Sequence, residues 1–206
     1  MELKFLENQV EIEKELNELD KFVIKFTDIL NKLNIKYVIV SGYVSIIFGR
    51  NRSSEDIDLI IEKLDYDKFN KLWHKILYNF DCIITENQEN AYFEYLLKDN
   101  SIRFAERGKF IPNIEIKFPK TELDKWTLQN PLKASLNDNL LFISKIELQI
   151  PFKFFLGSEK DIEDAKYLYA IFKNHLDIEL LEDFNRKLKI VELFNKYIKT
   201  SKNSLK

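Results

Sequence analysis

The spacing of hydrophobic residues in the first third of the chain predicts amphipathic helix followed by two short strands. Between residues 7 and 33, apolar side chains recur at helical intervals and charged residues fill the opposite face, which indicates one or two helices. Residues 35–40 form a β-branched run with polar borders, the pattern of a buried strand. A short apolar segment at 43–48 predicts one or two helical turns, and a polar loop at 49–54 leads to a second strand at 56–62.

The remaining two thirds of the chain alternate between helical and strand-like patterns and then end in helices. Helical spacing predicts helices at 65–80, 90–97 and 123–128. Strand-like runs stand at 81–85, 101–105, 110–118, 132–136 and 140–144, the last two flanking a hairpin turn. From residue 146 onward the pattern is helical, and we expect Pro151 to kink or restart the first helix and Ser158 to cap the next. Residues 201–206 are predicted to form a frayed tail.

This order of elements, a helix, a mixed α/β middle and then helices, indicates an α+β fold. We expect residues 1–144 to form the α/β core together with the N-terminal helix, and residues 145–206 to form a helical portion packed on that core. The composition supports a folded chain, because 45% of the 206 residues are hydrophobic and 14% are aromatic, enough to build a sizeable core.

Charge and cysteine content exclude several classes of protein. The 32 basic and 34 acidic residues leave a net charge of −2, so the molecule as a whole is not a basic nucleic-acid-binding protein. A single cysteine, Cys82, excludes a disulfide scaffold and a cysteine-rich zinc site, and 2 histidines leave little for a histidine metal cage. Because the chain lacks an apolar stretch of membrane-spanning length and an apolar signal core, we expect no membrane partner and a cytoplasmic location.

Two aspartates on the second predicted strand are the most informative chemical feature. Asp56 and Asp58 are two residues apart, so both carboxylates point to one face while Ile57 and Leu59 point into the core. Two like charges held this close repel each other, and a divalent cation offsets the repulsion. Hard cations such as Mg²⁺ take oxygen ligands, typically one or two carboxylates together with substrate phosphates. A bare pair of this kind also occurs as solvated aspartates at a strand end, so its sequence context decides between the two interpretations.

The residues before the two aspartates add a phosphate-binding pattern. The first predicted strand ends in Ser41-Gly42, where a backbone with no side chain lets a phosphate approach closely. A short helix follows, and the N-terminus of a helix attracts anions. Arg52 and Ser54 then stand just before Asp56. A phosphate cradle followed by a pair of metal-binding carboxylates is a layout for handling a nucleoside triphosphate.

The segment that contains these residues resembles the nucleotidyltransferase superfamily of the DNA polymerase beta type, and within it the AbiEii-like toxin branch and its uncharacterised relatives. Those proteins carry a glycine pair after a strand, followed by roughly Gly-x-x-Arg-x-Thr-x-Asp-x-Asp-Leu. The corresponding residues in this chain are Ser41-Gly42, Gly49, Arg52, Ser54 and Asp56-Ile57-Asp58-Leu59. The resemblance implies a nucleotidyltransferase-like mixed β-sheet flanked by helices, with a helical C-terminal portion.

The same resemblance implies further site residues on later elements. The family's third metal-site carboxylate lies on a later strand, where Glu115 is the candidate, either as a ligand or as the base that takes a proton from the attacking hydroxyl. AbiEii-like relatives also carry a lysine on one helix and Lys-Asp-x-x-Asp at the start of the next. Here the matching residues are Lys153, Lys160, Asp161 and Asp164. Lys153 would contact the triphosphate, and Lys160 or Asp161 would help to form the site.

Together these patterns predict an enzyme, a nucleotidyltransferase that depends on Mg²⁺ or Mn²⁺ and moves an NMP from an NTP to a hydroxyl acceptor. The predicted metal ligands and catalytic residues are Asp56, Asp58 and Glu115. The predicted nucleotide-binding residues are Ser41, Gly42, Arg52, Ser54, Lys153, Lys160 and Asp161. The resemblance implies RNA, such as tRNA, or a protein hydroxyl as the acceptor, and a toxin role with an antitoxin protein as partner. Two alternatives stay open: a nucleotide-binding module that has lost turnover, and a structural or interaction protein that uses its terminal helices.

Overall fold

The computed structural model describes residues 1–199, and within them nine strands form one mixed sheet. In chain order the strands are β1 Glu2–Leu6, β2 Gln9–Glu13, β3 Tyr37–Val40, β4 Asp56–Ile61, β5 Phe80–Cys82, β6 Ile102–Glu106, β7 Asn113–Lys117, β8 Leu132–Leu136 and β9 Asn139–Ile143. Their order across the sheet is β1-β2-β8-β9-β3-β4-β7-β6-β5. The pairs β2–β8, β3–β9 and β4–β7 are parallel, and the remaining pairs are antiparallel.

Helices pack on this sheet and build the C-terminal part of the described chain. The α-helices are α1 Glu18–Lys32, α2 Gly42–Ile47, α3 Tyr66–Ile76, α4 Glu122–Gln129, α5 Ile146–Leu156, α6 Glu159–Phe172, α7 Ile178–Lys187 and α8 Val191–Phe194. Two π-helical turns and a 3₁₀ turn complete the set, at Asn90–Tyr95, Asn195–Lys199 and Leu96–Lys98. None of the helices in the described part of the chain has the length and apolar character needed to cross a bilayer. The arrangement confirms the α+β fold with C-terminal helices.

The N-terminal segment departs from the prediction, because residues 7–13 do not form a helix. Strands β1 and β2 form an antiparallel hairpin through a turn at Asn8, whose φ is 55°. Val10 and Ile12 alternate with polar residues and are buried where β2 pairs with β8. The helix begins only after Asn17, whose side chain accepts a backbone N–H in a capping box. Short two-residue alternation therefore prevails over the helical spacing predicted across the whole segment.

Most other predicted elements are present with shifted ends. The strands predicted at 35–40 and 56–62 correspond to β3 and β4, and the turn predicted at 137–139 joins β8 to β9. The hydroxyl of Ser158 accepts the backbone N–H of Asp161 at 3.2 Å, which confirms the predicted cap of α6.

Pro151 is predicted to kink or restart the first C-terminal helix. Helix α5 runs through Pro151, so no new helix begins there, and the kink stays a prediction. Proline removes one hydrogen bond from a helix interior, but Ile150 and Phe154 on either side of it are buried in the core, and this packing holds the helix together. The predicted tail at 201–206 lies outside the described residues. Helix α6 packs against both α5 and α2, while the division of the chain at residue 144 stays a prediction.

The register of β4, β7 and β6 separates two faces of the sheet. Three apolar residues in matching positions share one face: Ile57, Ile114 and Phe104. On that face Phe104 contacts the rings of Phe26 in α1 and Trp73 in α3. Three charged residues in the next matching positions share the opposite face: Asp58, Glu115 and Arg103. Helices α1 and α3 therefore lie on the far side of the sheet from the predicted carboxylates.

Candidate functional site

Three adjacent strands bring the predicted carboxylates and the predicted phosphate-binding turn together. Strand β3 ends at Val40, immediately before Ser41, and Val40 is opposite Asp58 on the antiparallel strand β4. On the other side of β4, Asp58 is in register with Glu115 of the parallel strand β7. Asp56 begins β4 and is exposed, whereas Asp58 is half-buried. The pairing of the strands thus unites residues that are far apart in the sequence.

Ser41 shapes the turn between β3 and α2. Its backbone has a φ of 63° and a ψ of −133°, a conformation that costs energy for a residue with a side chain. The side-chain amide of Gln149 in α5 donates to the Ser41 carbonyl oxygen at 2.7 Å. The Ser41 side chain also lies close enough to the carboxylate of Asp58 to lower the pKa of that carboxyl. The contact from Gln149 helps to offset the cost of serine where a glycine would adopt the conformation freely.

The carboxylate of Asp58 lies in an environment that opposes its negative charge. Burial raises the pKa of Asp58, and the negative charges of Asp56 and Glu115 raise it further. The hydrogen bond from Ser41 and the positive charge of Lys117 oppose this rise without cancelling it. Among residues 1–199, neither Asp56 nor Asp58 forms an ion pair. The pair therefore carries uncompensated negative charge.

Glu115 has a cationic partner of its own. Arg103 lies opposite Glu115 on β6, and its Nε and Nη2 atoms are both 2.7 Å from the Glu115 Oε2 atom. The pair is near the surface, with 44% of the Arg103 side chain and 20% of the Glu115 side chain exposed. Glu115 would have to exchange Arg103 for a metal ion in order to ligate through this oxygen.

The donor set fits a Mg²⁺ ion held by two protein carboxylates. Within residues 1–199, no group of three or more histidine, cysteine, aspartate or glutamate side chains is arranged to hold a metal ion. Asp56 and Asp58 supply oxygen ligands and uncompensated charge, which suits a hard cation that completes its coordination with water and substrate phosphate. Participation of Glu115 as a third ligand stays a prediction, as do the catalytic roles of all three carboxylates.

A second charged cluster joins the loop after α2 to helices α5 and α6. Asp164 of α6 is completely buried; its Oδ2 atom accepts a hydrogen bond from Arg52 and lies 3.1 Å from the Nζ atom of Lys153. Lys153 is itself buried and donates to Asp161 Oδ1 at 2.7 Å. The Nε atom of Arg50 is 3.6 Å from Asp164 Oδ1. Three cationic side chains thus meet two carboxylates, and the cluster retains one excess positive charge.

Asp161 shows how strongly this cluster favours ionised carboxylates. Burial opposes ionisation of Asp161, but hydrogen bonds from Lys153 and Ser158, together with the charges of Lys153 and Arg52, hold the pKa of its carboxyl below the ordinary value. The two sequence segments that carried the resemblance, 41–59 and 152–165, therefore meet in one charged network.

Arg52 links this network to the turn at Gly42. A Cβ atom added to Gly42 would lie 2.7 Å from Arg52 Nη2 and 3.3 Å from Arg52 Cζ, too close for either atom to stay where it is. The guanidinium of Arg52 therefore packs against a backbone position that only glycine leaves open. Guanidinium groups bind phosphate oxygens through paired N–H donors, so the turn presents donors of the kind that a triphosphate needs.

The other two residues predicted to bind nucleotide do not join the charged network, although the Ser54 hydroxyl oxygen would lie 3.4 Å from a Cβ atom added to Gly42. The hydroxyl of Ser54 donates to the carbonyl oxygen of Asp56 at 2.9 Å and so stabilises the start of β4. Lys160 is exposed and forms no ion pair within the described part of the chain. Their roles in nucleotide binding stay predictions.

Three residues that shape the site lie outside the predicted set of site residues: Gln149, Arg50 and Arg103. Gln149 holds the Ser41 carbonyl from a helix that follows it by 108 positions, and no local pattern announces such a contact. A signal for Arg103 does exist, since opposite charges on two neighbouring strands favour a cross-strand pair. Finding it requires the register that places Arg103 opposite Glu115.

Comparison with known proteins supports the fold. A crystal structure of an antigenic nucleotidyltransferase-like protein from Paracoccidioides brasiliensis is similar to this chain, with a TM-score of 0.55 and 17% sequence identity over 88% of this chain and 92% of the other. No protein-family model matches the sequence, and no curated protein matches it. An identity this low speaks for the fold and not for a particular branch or substrate. The chain thus has a nucleotidyltransferase-like fold.

Proposed function

We propose that this chain is a Mg²⁺-dependent nucleotidyltransferase that moves a nucleoside monophosphate from an NTP to a hydroxyl acceptor. One observation carries the proposal: the uncompensated carboxylates of Asp56 and Asp58 lie beside the Ser41-Gly42 turn, against which the guanidinium of Arg52 is held. Negative charge next to fixed positive charge and a bare backbone position suits a triphosphate that binds together with a divalent cation. Mn²⁺ takes the same oxygen ligands and is the alternative cation.

Each side chain has a distinct role in the proposed reaction. Asp56 and Asp58 hold the cation, which when bound stabilises negative charge on the attacked α-phosphate and the departing pyrophosphate. Arg52 binds the triphosphate, and its hydrogen bond to Asp164 keeps the guanidinium oriented at Gly42. Glu115 takes the proton of the acceptor hydroxyl after its pair with Arg103 opens.

The helices α5 and α6 complete the proposed nucleotide site. Lys153 contributes positive potential from a buried position and reaches a phosphate by exchanging its partner Asp161. Ser54 and Lys160 add polar groups near the triphosphate. In the predicted division into an α/β core at 1–144 and a helical portion at 145–206, Lys153 and Lys160 belong to the helical portion and Ser54 belongs to the core.

The acceptor and the biological role are proposed from the sequence resemblance. Its two segments match the AbiEii-like toxin nucleotidyltransferases, which favours RNA, such as tRNA, or a protein hydroxyl as the acceptor. The same likeness favours a toxin that is countered by an antitoxin protein and that acts in the cytoplasm.

Transfer of label from NTPs tests the proposed activity. The purified protein is incubated with Mg²⁺, total RNA and each NTP labelled in turn at the α- or the γ-phosphate. We expect label from the α-phosphate to enter RNA or protein and label from the γ-phosphate to leave as pyrophosphate. A control variant, Glu55→Gln, removes an exposed carboxylate directly next to Asp56. This variant should transfer label as the wild type does.

A nucleotide-binding module without turnover is the second candidate function, and the pair between Arg103 and Glu115 favours it. If Glu115 stays paired with Arg103, the site binds NTP and Mg²⁺ but lacks a free carboxylate that accepts the proton of the acceptor hydroxyl. In that case NTP binding is measurable by calorimetry while no NTP gives label transfer. If Arg103→Ala transferred label, the ion pair between Arg103 and Glu115 would be the feature that prevents transfer in the wild type.

A further inference from the structure

A groove between helices α1 and α3 stands apart from the candidate site. It has a volume of about 990 Å³ and lies on the face of the sheet opposite Asp58. Ile29 of α1 and Leu33, which caps the C-terminus of α1, are half-buried and line it together with Tyr78, which is 81% exposed. An apolar strip of this kind, open to solvent and flanked by two helices, has the form that receives the apolar face of a third helix.

The charges around the groove are unlike those of the chain as a whole. Its lining includes four lysines and one histidine but a single aspartate, whereas the whole chain has 32 basic and 34 acidic residues. Lys32 is paired with that aspartate, Asp28. Lys71 and Lys75, successive turns of α3, are exposed and form no ion pair within residues 1–199. Lys25 is paired with Glu106, so the unpaired positive charge of the rim comes from Lys71 and Lys75, and it favours an acidic partner.

We propose that this groove is the docking site for an acidic amphipathic helix of a partner protein. The apolar face of that helix packs on Ile29 and Leu33, the ring of Tyr78 closes one end, and carboxylates on its flanks meet Lys71 and Lys75. The proposal is independent of the nucleotidyltransferase reaction, because no residue of the groove belongs to the candidate site.

Two observations favour a protein helix over a nucleic-acid strand. Single-stranded nucleic acid binds through a series of aromatic side chains on which successive bases stack, and this groove offers one exposed aromatic ring, Tyr78, and the imidazole of His74 beside two aliphatic side chains. A strand bound here would also be separated from Asp58 by the sheet, so its end would not reach the proposed reacting groups. A regulatory or tethering partner has no such requirement.

Binding of designed helices to the full chain tests the proposal. The probe is a fluorescein-labelled peptide of about 18 residues, long enough to match α1, with leucines at helical spacing and glutamates on the flanks. A second peptide keeps the leucines and replaces every glutamate by lysine, and a third has the composition of the first in scrambled order. A uridine oligonucleotide of similar charge and the labelled protein itself complete the set. Binding is followed by fluorescence anisotropy at about 50 mM and about 300 mM salt.

We expect only the acidic amphipathic peptide to bind, and its affinity to fall with salt. The double variant Lys71→Glu, Lys75→Glu should weaken binding by about tenfold or more. The matched control Lys120→Glu, Lys173→Glu reverses two exposed lysines that do not line the groove, and it should bind as the wild type does. Far-UV circular dichroism and melting temperature show that both variants are folded.

Several outcomes would overturn the proposal. Equal binding of the scrambled peptide would mean simple charge attraction. Binding of the uridine oligonucleotide alone, weakened by the Lys71 and Lys75 reversals, would assign the groove to nucleic acid. Self-association of the protein that the same reversals abolish would assign it to a second copy of this chain. No binding by any probe would leave the groove without a ligand.

Discussion

Two charged regions lie on either side of the Ser41-Gly42 turn, and they differ in whether their carboxylates have cationic partners. In the cluster around Asp164, two carboxylates and three cations are paired at short range. At the start of β4, Asp56 and Asp58 repel each other and have no cationic partner among residues 1–199. The first region is complete as folded, whereas the second lacks a compensating charge.

This contrast separates a structural role from a ligand-binding role. A buried carboxylate paired with cations is strongly coupled to the stability of the fold. A carboxylate pair without a partner weakens the fold slightly and gains only when a cation binds. We therefore expect substitutions of the carboxylates Asp164 and Asp58 to differ in kind, the first affecting mainly stability and the second affecting mainly activity.

The largest effect on stability is expected from Asp164→Asn. The substitution leaves the buried Lys153 and the half-buried Arg52 without their shared carboxylate, and breaking a buried ion pair typically costs about 3–5 kcal/mol of unfolding free energy. Urea denaturation measures the change. In the matched variant Asp161→Asn the cost should stay below about 1 kcal/mol, because Asp161 is partly exposed and Lys153 keeps Asp164. An equal loss of unfolding free energy in the two variants would mean that the burial of Asp164 does not add to its contribution to stability.

The largest effect on activity is expected from Asp58→Asn. The swap is nearly isosteric, so packing changes little. A metal ion supplies several kcal/mol of transition-state stabilisation, and a loss of about 4 kcal/mol would slow label transfer roughly a thousandfold. The melting temperature should be unchanged or slightly higher, since one of two repelling charges is removed. Retained transfer with a lowered melting temperature would instead assign Asp58 to the fold.

The strands of the two regions were predictable, but the contacts between them were not. β3 and β4 contain short apolar runs, and such runs predict strands that are buried on both faces of a sheet. The contact between Arg52 and Asp164 spans 112 positions. Its two residue types are common, and only the packing of α6 on α2 decides which aspartate meets which arginine.

The N-terminal hairpin shows why some local structure was also missed. Val10 and Ile12 fit a strand and an amphipathic helix equally well over so few residues. What decides between them is the edge of β8, which supplies backbone partners for β2. Pairing with a strand more than a hundred residues away is not encoded in the local pattern.

A smaller effect is expected where the two regions touch, at Gly42. In Gly42→Ala the new methyl group would displace the guanidinium of Arg52, which lies 2.7 Å from the position of the added Cβ. We expect NTP affinity in the presence of Mg²⁺ to fall about tenfold, or about 1.4 kcal/mol, by isothermal titration calorimetry. The exposed loop variant Ser53→Ala serves as the control. An unchanged NTP affinity in Gly42→Ala would mean that Arg52 does not bind the phosphates. An NTP affinity that is equal with and without a chelator would mean that a metal ion does not contribute to binding.

The smallest effect, and the one that compares the regions most directly, is the pH dependence of stability. The pKa of Asp58 is raised in the folded protein, chiefly by burial, so its ionised form is disfavoured there. Below the ordinary aspartate pKa of 3.8, Asp58 is protonated in both the folded and the unfolded protein, so its raised pKa does not change the free energy of unfolding. As pH rises through the folded pKa, the free energy of unfolding decreases. Asp161 behaves oppositely: despite its burial, hydrogen bonds from Lys153 and Ser158 lower its pKa, so its stabilisation is present above 3.8 and is lost as pH falls. Melting temperatures measured from about pH 2.5 to about pH 7.5 should therefore show Asp161→Asn falling behind the wild type as pH rises toward about 4, and Asp58→Asn gaining on the wild type as pH rises above about 4. If both differences moved in the same direction, the opposition between the two regions would not hold.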